Sequence, residues 1–245
     1  MENGEQIDAN FSILCFLRFT SIKTMSNMKR LFNIIIVLAA CALASCSASK
    51  NGTTSKNDWV RVTNGNLWLT AEGDTVQAHA PGFLRLGDTW YMVGEDRGRE
   101  WRPDVNLYSS KDLQNWHFEK KIIENGVTSP DLGKNRMIER AKLLYNKKTK
   151  RFVVWCHWES SNYSASEAAC FSSDKIDGTY RLEWSGRPLG IKSRDCNVFV
   201  DTDGTAYFIS TTVENQHLGL FRLSDDYLSV VEHTRLFAGQ KREAP

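Results

Sequence analysis

Residues 187–208, RPLGIKSRDCNVFVDTDGTAYF, carry the strongest structural signal in the chain. An apolar run at 198–200 and the strand formers at 205–209 flank an Asp-Gly turn, which predicts a β-hairpin. Arg194 and Asp195 come directly before the first strand of this hairpin. An ionised carboxylate that enters a buried strand needs a partner. Asp195 is therefore the first candidate for chemistry, and a plain Arg194–Asp195 ion pair at a strand end is the alternative interpretation.

The same order of signals occurs three times along the chain. Each copy has a hairpin, a third strand that ends in a Ser-Asp or Ser-x-Asp sequence, and an outer strand near an aromatic residue. Tyr108, Phe171 and Phe221 mark the third strands, 63 and 50 residues apart. No helix of more than about two turns is indicated by periodicity. This recurrence predicts an all-β chain built from β-propeller blades. A plain β-sandwich would explain the strands but not their ordered recurrence.

A polar segment precedes the innermost predicted strand of each copy. Equivalent positions in successive blades face one axis, so these segments are expected to meet at one end of the central channel. The four segments are QAHAPG at 77–82, MIERAK at 137–142, SRD at 193–195 and KREAP at 241–245.

Charge and cysteine content exclude some classes of function. The chain has 31 Lys and Arg against 29 Asp and Glu, and a net charge of +2 gives no reason to expect a nucleic-acid partner. Three cysteines, Cys156, Cys170 and Cys196, lie in the main domain. Their odd number and the lack of CxxC spacing argue against a zinc site, so buried free thiols are expected and no metal ligands are assigned.

The N-terminal region has the features of an export signal. The basic residues Lys29 and Arg30 after Met28 and an apolar stretch at 31–44 are typical of a signal peptide. The sequence Leu-Ala-Ser before Cys46 looks like a bacterial lipobox. We therefore expect an exported lipoprotein of the periplasm or outer membrane, anchored to the membrane through Cys46. An ordinary cleaved signal peptide is the alternative. The expected segments are a mis-called leader extension at 1–27, the signal peptide at 28–46, a linker at 47–57 and the propeller domain at 58–245.

Together the polar segments resemble glycoside hydrolase family 43, a family of five-bladed propellers that cleave arabinosides, xylosides and galactans. The resemblance spans about residues 77–245 and is greatest to the branch with exo-β-1,3-galactanases, although Ala141 stands where that branch usually has proline. It implies that this chain holds about three blades and the start of a fourth, and is truncated at its C-terminus. The matching residues are His79-Ala80-Pro81, Glu139-Arg140-Ala141-Lys142, Ser193-Arg194-Asp195, Asp201-Thr202-Asp203-Gly204 and Arg242-Glu243-Ala244-Pro245.

The resemblance also implies roles for individual residues. In the inverting mechanism of the family an acid protonates the leaving oxygen and a carboxylate activates water. Glu243 would be that acid, Asp195 the carboxylate that tunes it, and Glu139 a group that binds sugar hydroxyls or helps to position water. Arg140, Arg194 and Arg242 would pair with these carboxylates or with the substrate. Structural ion pairs between blades are the alternative interpretation.

One departure from the family concerns the general base. Most members have an Asp where this chain has Ala80, and alanine cannot accept a proton. The galactanase branch that the chain resembles also lacks this Asp and is nevertheless active, so the departure removes the usual base without implying inactivity. Glu95 and Asp96 are the nearest carboxylates, with a polar loop as the alternative. His79 is expected to line the site.

Further contacts with a sugar are expected from aromatic residues. Trp101 could stack on a sugar from a rim loop, and Trp155, His157 and Trp158 could line the same end of the channel. The expected substrate-binding residues are His79, Glu95, Trp101, Arg140, Trp155 and Arg194. No cofactor is expected, although the channel of such propellers allows a structural calcium ion.

These features predict a glycosidase that hydrolyses plant polysaccharides with inversion, with β-1,3-galactan or an arabinan- or xylan-like chain as substrate and with uncertain activity for the truncated chain. A propeller lipoprotein that binds glycans without cleaving them is the main alternative. A fragment with no activity is a third.

Overall fold

Twelve β-strands, arranged as three antiparallel sheets of four, make up the part of the chain that the structure describes. This computed structural model describes residues 65–98, 104–124, 127–130 and 136–245, all of them within the unit Val60–Pro245. The expected signal peptide, Cys46, the linker and Trp101 lie outside the described residues. Among the residues described, no helix has the length and apolar character that a membrane span requires.

The sheets follow one another along the chain, and in each the strands pair in chain order. Three successive four-stranded blades confirm the propeller prediction, and the sandwich alternative is wrong. Blade 1 contains β1 (His79–Leu86), β2 (Thr89–Glu95), β3 (Val105–Ser110) and β4 (His117–Ile123). Blade 2 contains β5 (Arg136–Asn146), β6 (Arg151–Ser160), β7 (Glu167–Ser173) and β8 (Arg181–Gly186). Blade 3 contains β9 (Ser193–Val200), β10 (Ala206–Thr212), β11 (His217–Leu223) and β12 (Val230–Leu236).

The Asp-Gly turn forms as predicted, between β9 and β10. Asp201 N–H donates to Thr205 O at 2.8 Å, and Gly204 N–H donates to Asp201 O at 2.9 Å. Gly204 has a φ of +89°, a left-handed conformation that costs glycine little.

Blade 2 is buried on both faces. One face packs against blade 1 in a core that includes Val93, Val154 and Phe171. The other packs against blade 3 in a core that includes Trp155 and Phe208. A strand between two cores needs apolar side chains on both faces, which explains the nearly continuous apolar sequence of β6.

Each inner strand bulges at the same place. Residues 79–82 of β1 stand opposite three residues of β2, and residues 139–142 of β5 opposite three of β6. Residues 193–196 of β9 likewise stand opposite three residues of β10. A bulge kinks a strand and re-aims its side chains. The three bulges coincide with the polar segments and so determine where their charged groups point.

Candidate active site

A cluster of carboxylates forms where the bulges of the three blades come together. Its members are Glu95 at the end of β2, Glu139 on β5 and Asp195 on β9, with His157 of β6 among them. The predicted convergence of polar segments is therefore seen for the first three of the four segments.

Glu95 links blade 1 to blade 2. It is only 2% exposed. Its Oε1 accepts the backbone N–H of Arg140 at 2.6 Å, and its Oε2 accepts Arg97 Nε–H at 2.7 Å. His79 Nδ1 lies 3.4 Å from the same Oε2, and the His79 side chain is 58% exposed. These contacts hold Glu95 almost completely out of solvent, which argues against a role as the water-activating base. The exposed His79 side chain is the accessible member of this pair.

Asp96, the other nearby carboxylate, is part of a loop network. Its Oδ1 accepts Gly98 N–H at 2.9 Å, and its Oδ2 lies 3.3 Å from Lys121 Nζ. These contacts favour the polar-loop interpretation for Asp96.

Glu139 is the most strongly held carboxylate of the cluster. Its Oε1 accepts from Arg97 Nη2 at 2.9 Å and from the Tyr163 hydroxyl at 2.7 Å. Its Oε2 lies 3.1 Å from His157 Nδ1. Burial alone would raise the pKa of Glu139, but the His157 imidazole, the Tyr163 hydroxyl and Arg97 outweigh it and lower the pKa to about 2. Burial and the bond to Glu139 raise the pKa of Tyr163 to about 12.

Asp195 is more accessible to solvent than Glu139. Its side chain is 20% exposed, its Oδ2 lies 2.7 Å from Arg140 Nη2, and its Oδ1 lies 3.9 Å from His157 Nδ1. The adjacent Arg194 points elsewhere: it contacts Ser166 Oγ at 3.2 Å and Glu214 Oε2 at 3.1 Å. The strand-end pair Arg194–Asp195 considered from the sequence is therefore wrong, since Arg140 from the neighbouring blade pairs with Asp195.

A buried glutamate behind the cluster was missed from the sequence. Glu159 is fully buried on β6, and its Oε2 lies 3.0 Å from His157 Nε2. Its only sequence signal is a charged residue directly after the largely apolar stretch 152–158, where it resembles the polar start of a turn.

Trp155 is not at the site. It is fully buried between blades 2 and 3, and its indole N–H donates to Tyr227 O at 2.8 Å. The expected sugar contact at Trp155 is therefore wrong, because Trp155 packs inside the core between blades 2 and 3. His157, two residues on and on the same face of β6, stands opposite Glu139 and contacts the cluster. Trp158 packs into the core against blade 1.

Glu243 lies apart from the cluster. It is exposed, and its Oε1 accepts from Asn215 Nδ2 at 3.1 Å. No hydrogen bond or ion pair within the described ranges joins Glu243 to Glu139 or Asp195. Its role as the acid stays a prediction.

The cluster does not suit calcium. Ligand atoms of Glu139, His157 and Asp195 lie within 4.8 Å of one another, which is close enough for one cation. Calcium takes six to eight oxygen ligands. This set offers an imidazole nitrogen and two carboxylates that are already paired with Arg97 and Arg140. We therefore assign no calcium ion to these residues.

Solved structures with similar folds include exo-β-1,3-galactanases. The enzyme from Clostridium thermocellum is 39% identical, with a TM-score of 0.71, and the match covers 75% of this chain and 42% of that one. The enzyme from Phanerochaete chrysosporium, solved with galactose, is 31% identical, with a TM-score of 0.71, over 76% of this chain and 44% of that one. A putative exo-β-1,3-galactanase from Bifidobacterium bifidum is 30% identical, with a TM-score of 0.63, over 68% of this chain and 55% of that one.

The chain thus spans about half of the length of these proteins, or less. No curated protein sequence matches it significantly. The model of glycosyl hydrolases family 43 matches residues 74–245, which is most of the chain and includes every residue of the cluster. These matches confirm the resemblance seen in the sequence: the chain belongs to glycosyl hydrolases family 43.

Proposed function

We propose that the protein hydrolyses β-1,3-linked galactan with inversion at the anomeric carbon. The observation that carries this proposal is the cluster of Glu139 and Asp195 on adjacent blades, in a chain 39% identical to an exo-β-1,3-galactanase. Variants of the Phanerochaete chrysosporium enzyme were solved with β-1,3-galactotriose, which makes a galactan the first substrate to test.

The residues are proposed to divide the work between binding and proton transfer. Glu139 accepts hydrogen bonds from sugar hydroxyls, since an ionised carboxylate is a strong acceptor. Glu243 protonates the leaving oxygen, and the charge of Asp195 favours the protonated form of that acid when a sugar brings the two together. Ala80 and Glu95 supply no obvious base. We therefore assign the acid and the binding groups, and leave the water-activating group unassigned.

The test is hydrolysis of β-1,3-galactotriose, with arabinan and xylan oligosaccharides as competing substrates. We expect galactose release, with the inverted anomer seen first by proton NMR, and a loss of at least about a hundredfold in rate for Glu243→Gln. Glu232→Gln is the matched control, because Glu232 is an exposed glutamate paired with Arg222 and should leave the rate unchanged. Preferred cleavage of arabinan or xylan would contradict the galactan assignment.

A second candidate function is glycan binding without cleavage. It is favoured by Ala80, which removes the usual base, and by the engagement of both Glu95 oxygens. Titration calorimetry with galactotriose distinguishes the two functions. A binding protein binds the sugar and releases no galactose, and Glu243→Gln leaves its affinity unchanged.

We also propose that the protein is exported and carries a lipid on Cys46. The lipobox-like sequence before Cys46 supports this, since acylation needs small residues before a cysteine. Labelled palmitate should be incorporated by the protein expressed in a bacterium, and Cys46→Ser should abolish the labelling. Cys41→Ser is the control and should leave it intact.

A further inference from the structure

Glu159 is a buried charge to which the proposed reaction gives no role. It lies on β6, behind His157 as seen from the carboxylate cluster, and it is fully buried. Burying an ionised group costs free energy unless the group is fully hydrogen-bonded. The hydrogen-bond partners of Glu159 therefore indicate its role.

The turn after β6 surrounds Glu159 with hydrogen-bond donors. Its Oε1 accepts the backbone N–H groups of Ser160 at 2.8 Å and Ala165 at 2.8 Å. Ser166 N–H lies 3.2 Å from Oε1 and 3.1 Å from Oε2. Burial would raise the pKa of Glu159, but His157 and these N–H groups outweigh it and lower the pKa to about 2. The carboxylate is therefore ionised and can only accept.

The ionised state of Glu159 determines that one nitrogen of the His157 ring, Nε2, carries a proton. Because Glu159 has no proton to donate, the 3.0 Å contact requires that His157 Nε2 carries one and donates it. The ring is then oriented so that Nδ1 faces Glu139 Oε2 at 3.1 Å and Asp195 Oδ1 at 3.9 Å.

The charges around the His157 ring determine whether Nδ1 carries a proton. The ionisable groups that face it are Glu159 from its own strand, Glu139 from β5 and Asp195 from β9, while Arg97 and Arg140 bind the outer oxygens of the last two. Nδ1 is buried and has no aligned hydrogen-bond acceptor among the described residues, so its contacts with the two carboxylates are ionic. A bare nitrogen lone pair there would repel both carboxylates, whereas a proton attracts both.

We infer that Glu159 is a positioning residue that holds His157 as an imidazolium, and that this imidazolium sets the relative position of Glu139 and Asp195 across the boundary between blades 2 and 3. The part of this inference that concerns a sugar rests on the proposed function. The imidazolium attracts Glu139 Oε2 and Asp195 Oδ1 toward the same atom, His157 Nδ1. Asp195 thereby keeps its partly exposed position at the site.

The first test is nitrogen-15 NMR of the imidazole at about pH 7, where an ordinary histidine is mostly neutral. The chain has five histidines, so the His157 signals are assigned by their loss in His157→Gln. We expect two protonated ring nitrogens in the unaltered protein and a neutral ring in Glu159→Gln. Glu167→Gln is the matched control, because Glu167 pairs with Arg136 and does not face His157.

The second test is sugar affinity, measured by calorimetry with β-1,3-galactotriose. Glu159→Gln should weaken binding about tenfold or more, and Glu167→Gln should not. A neutral His157 in the unaltered protein overturns the inference even if Glu159→Gln does not fold. An imidazolium that persists in Glu159→Gln overturns the role of Glu159. If the spectra agree with the inference but no variant binds the sugar, the proposed function fails while the positioning role stands.

Discussion

At the scale of single residues, the charged groups of the site stabilise one another, and their pKa values shift in opposite directions as a result. Burial would lower the pKa of His157, but Glu139 and Glu159 outweigh it and raise that pKa above its ordinary value of 6.5. The same contacts lower the pKa of Glu139 and of Glu159 from 4.5 to about 2. Each group is therefore stabilised in its charged form by the others.

These shifts predict how stability depends on pH. The two glutamates stabilise the fold above about pH 4.5, and their contribution is lost as the pH falls toward about 2. The contribution of His157 is complete below pH 6.5 and is lost as the pH rises through its raised pKa. The free energy of unfolding should thus be highest between about pH 4.5 and about pH 6.5, as measured by urea denaturation. His157→Gln should remove part of the alkaline decline, and a stability that keeps rising above pH 6.5 would contradict the charge assignment.

The sequence predicted some of these residues and not others, for a physical reason. Glu139 and Asp195 stand before apolar runs, where a charge needs an explanation. The side chains of β6 gave no such guide, because a strand buried on both faces lacks the alternation that tells one face from the other. The sequence therefore predicts Trp155 at the site beside His157, which shares its face of β6 but contacts the cluster, and it gives Glu159 no role.

At the scale of strands, the bulges are held by groups from neighbouring blades. Lys142 Nζ donates to the carbonyl of Ala80 at 2.7 Å, and Glu95 accepts the backbone N–H of Arg140. Ala80 and Arg140 have φ values of 47° and 53°, which non-glycine residues seldom adopt. Contacts between blades thus supply the bonding that the bulged backbone loses within its own sheet. Hairpins could be predicted from turn residues, but bulges supported by distant partners could not.

Gly94 of β2 lies very close to Ala78, the residue directly before β1 and its bulge. A Cβ at this position on β2 would lie 2.6 Å from backbone atoms of Ala78, a distance that only a backbone shift can relieve. Gly94→Ala should therefore lower the free energy of unfolding by about 1 to 3 kcal/mol, measured by urea denaturation. Gly219→Ala is the comparison variant, because the three atoms nearest to its Cβ would be side-chain atoms of Phe221 and Thr212 and not backbone atoms. It should cost less, and an equal or larger loss for Gly219→Ala would show that backbone crowding at Gly94 is not the deciding factor.

At the scale of the whole described unit, blade 2 connects two cores. Its β6 and β7 contribute Cys156 to the core with blade 1 and Cys170 to the core with blade 3. Cys196 of blade 3 belongs to the second core. Opening one core uncovers a face of the sheet that the other core needs, so the three blades are expected to unfold as one cooperative unit.

The three thiols can report on this cooperativity. All are free and buried, and burial raises the pKa of each, to about 12 for Cys196 and well above the usual range for Cys156 and Cys170. Because alkylation needs an accessible thiolate, none should react with iodoacetamide in the native protein. Pulse labelling at increasing urea, read by mass spectrometry of the peptides and scaled to the fully denatured chain, should show all three becoming reactive at one midpoint. If Cys170 and Cys196 react at lower urea than Cys156, blade 3 opens by itself, and the packing of β6 between two cores does not couple the blades.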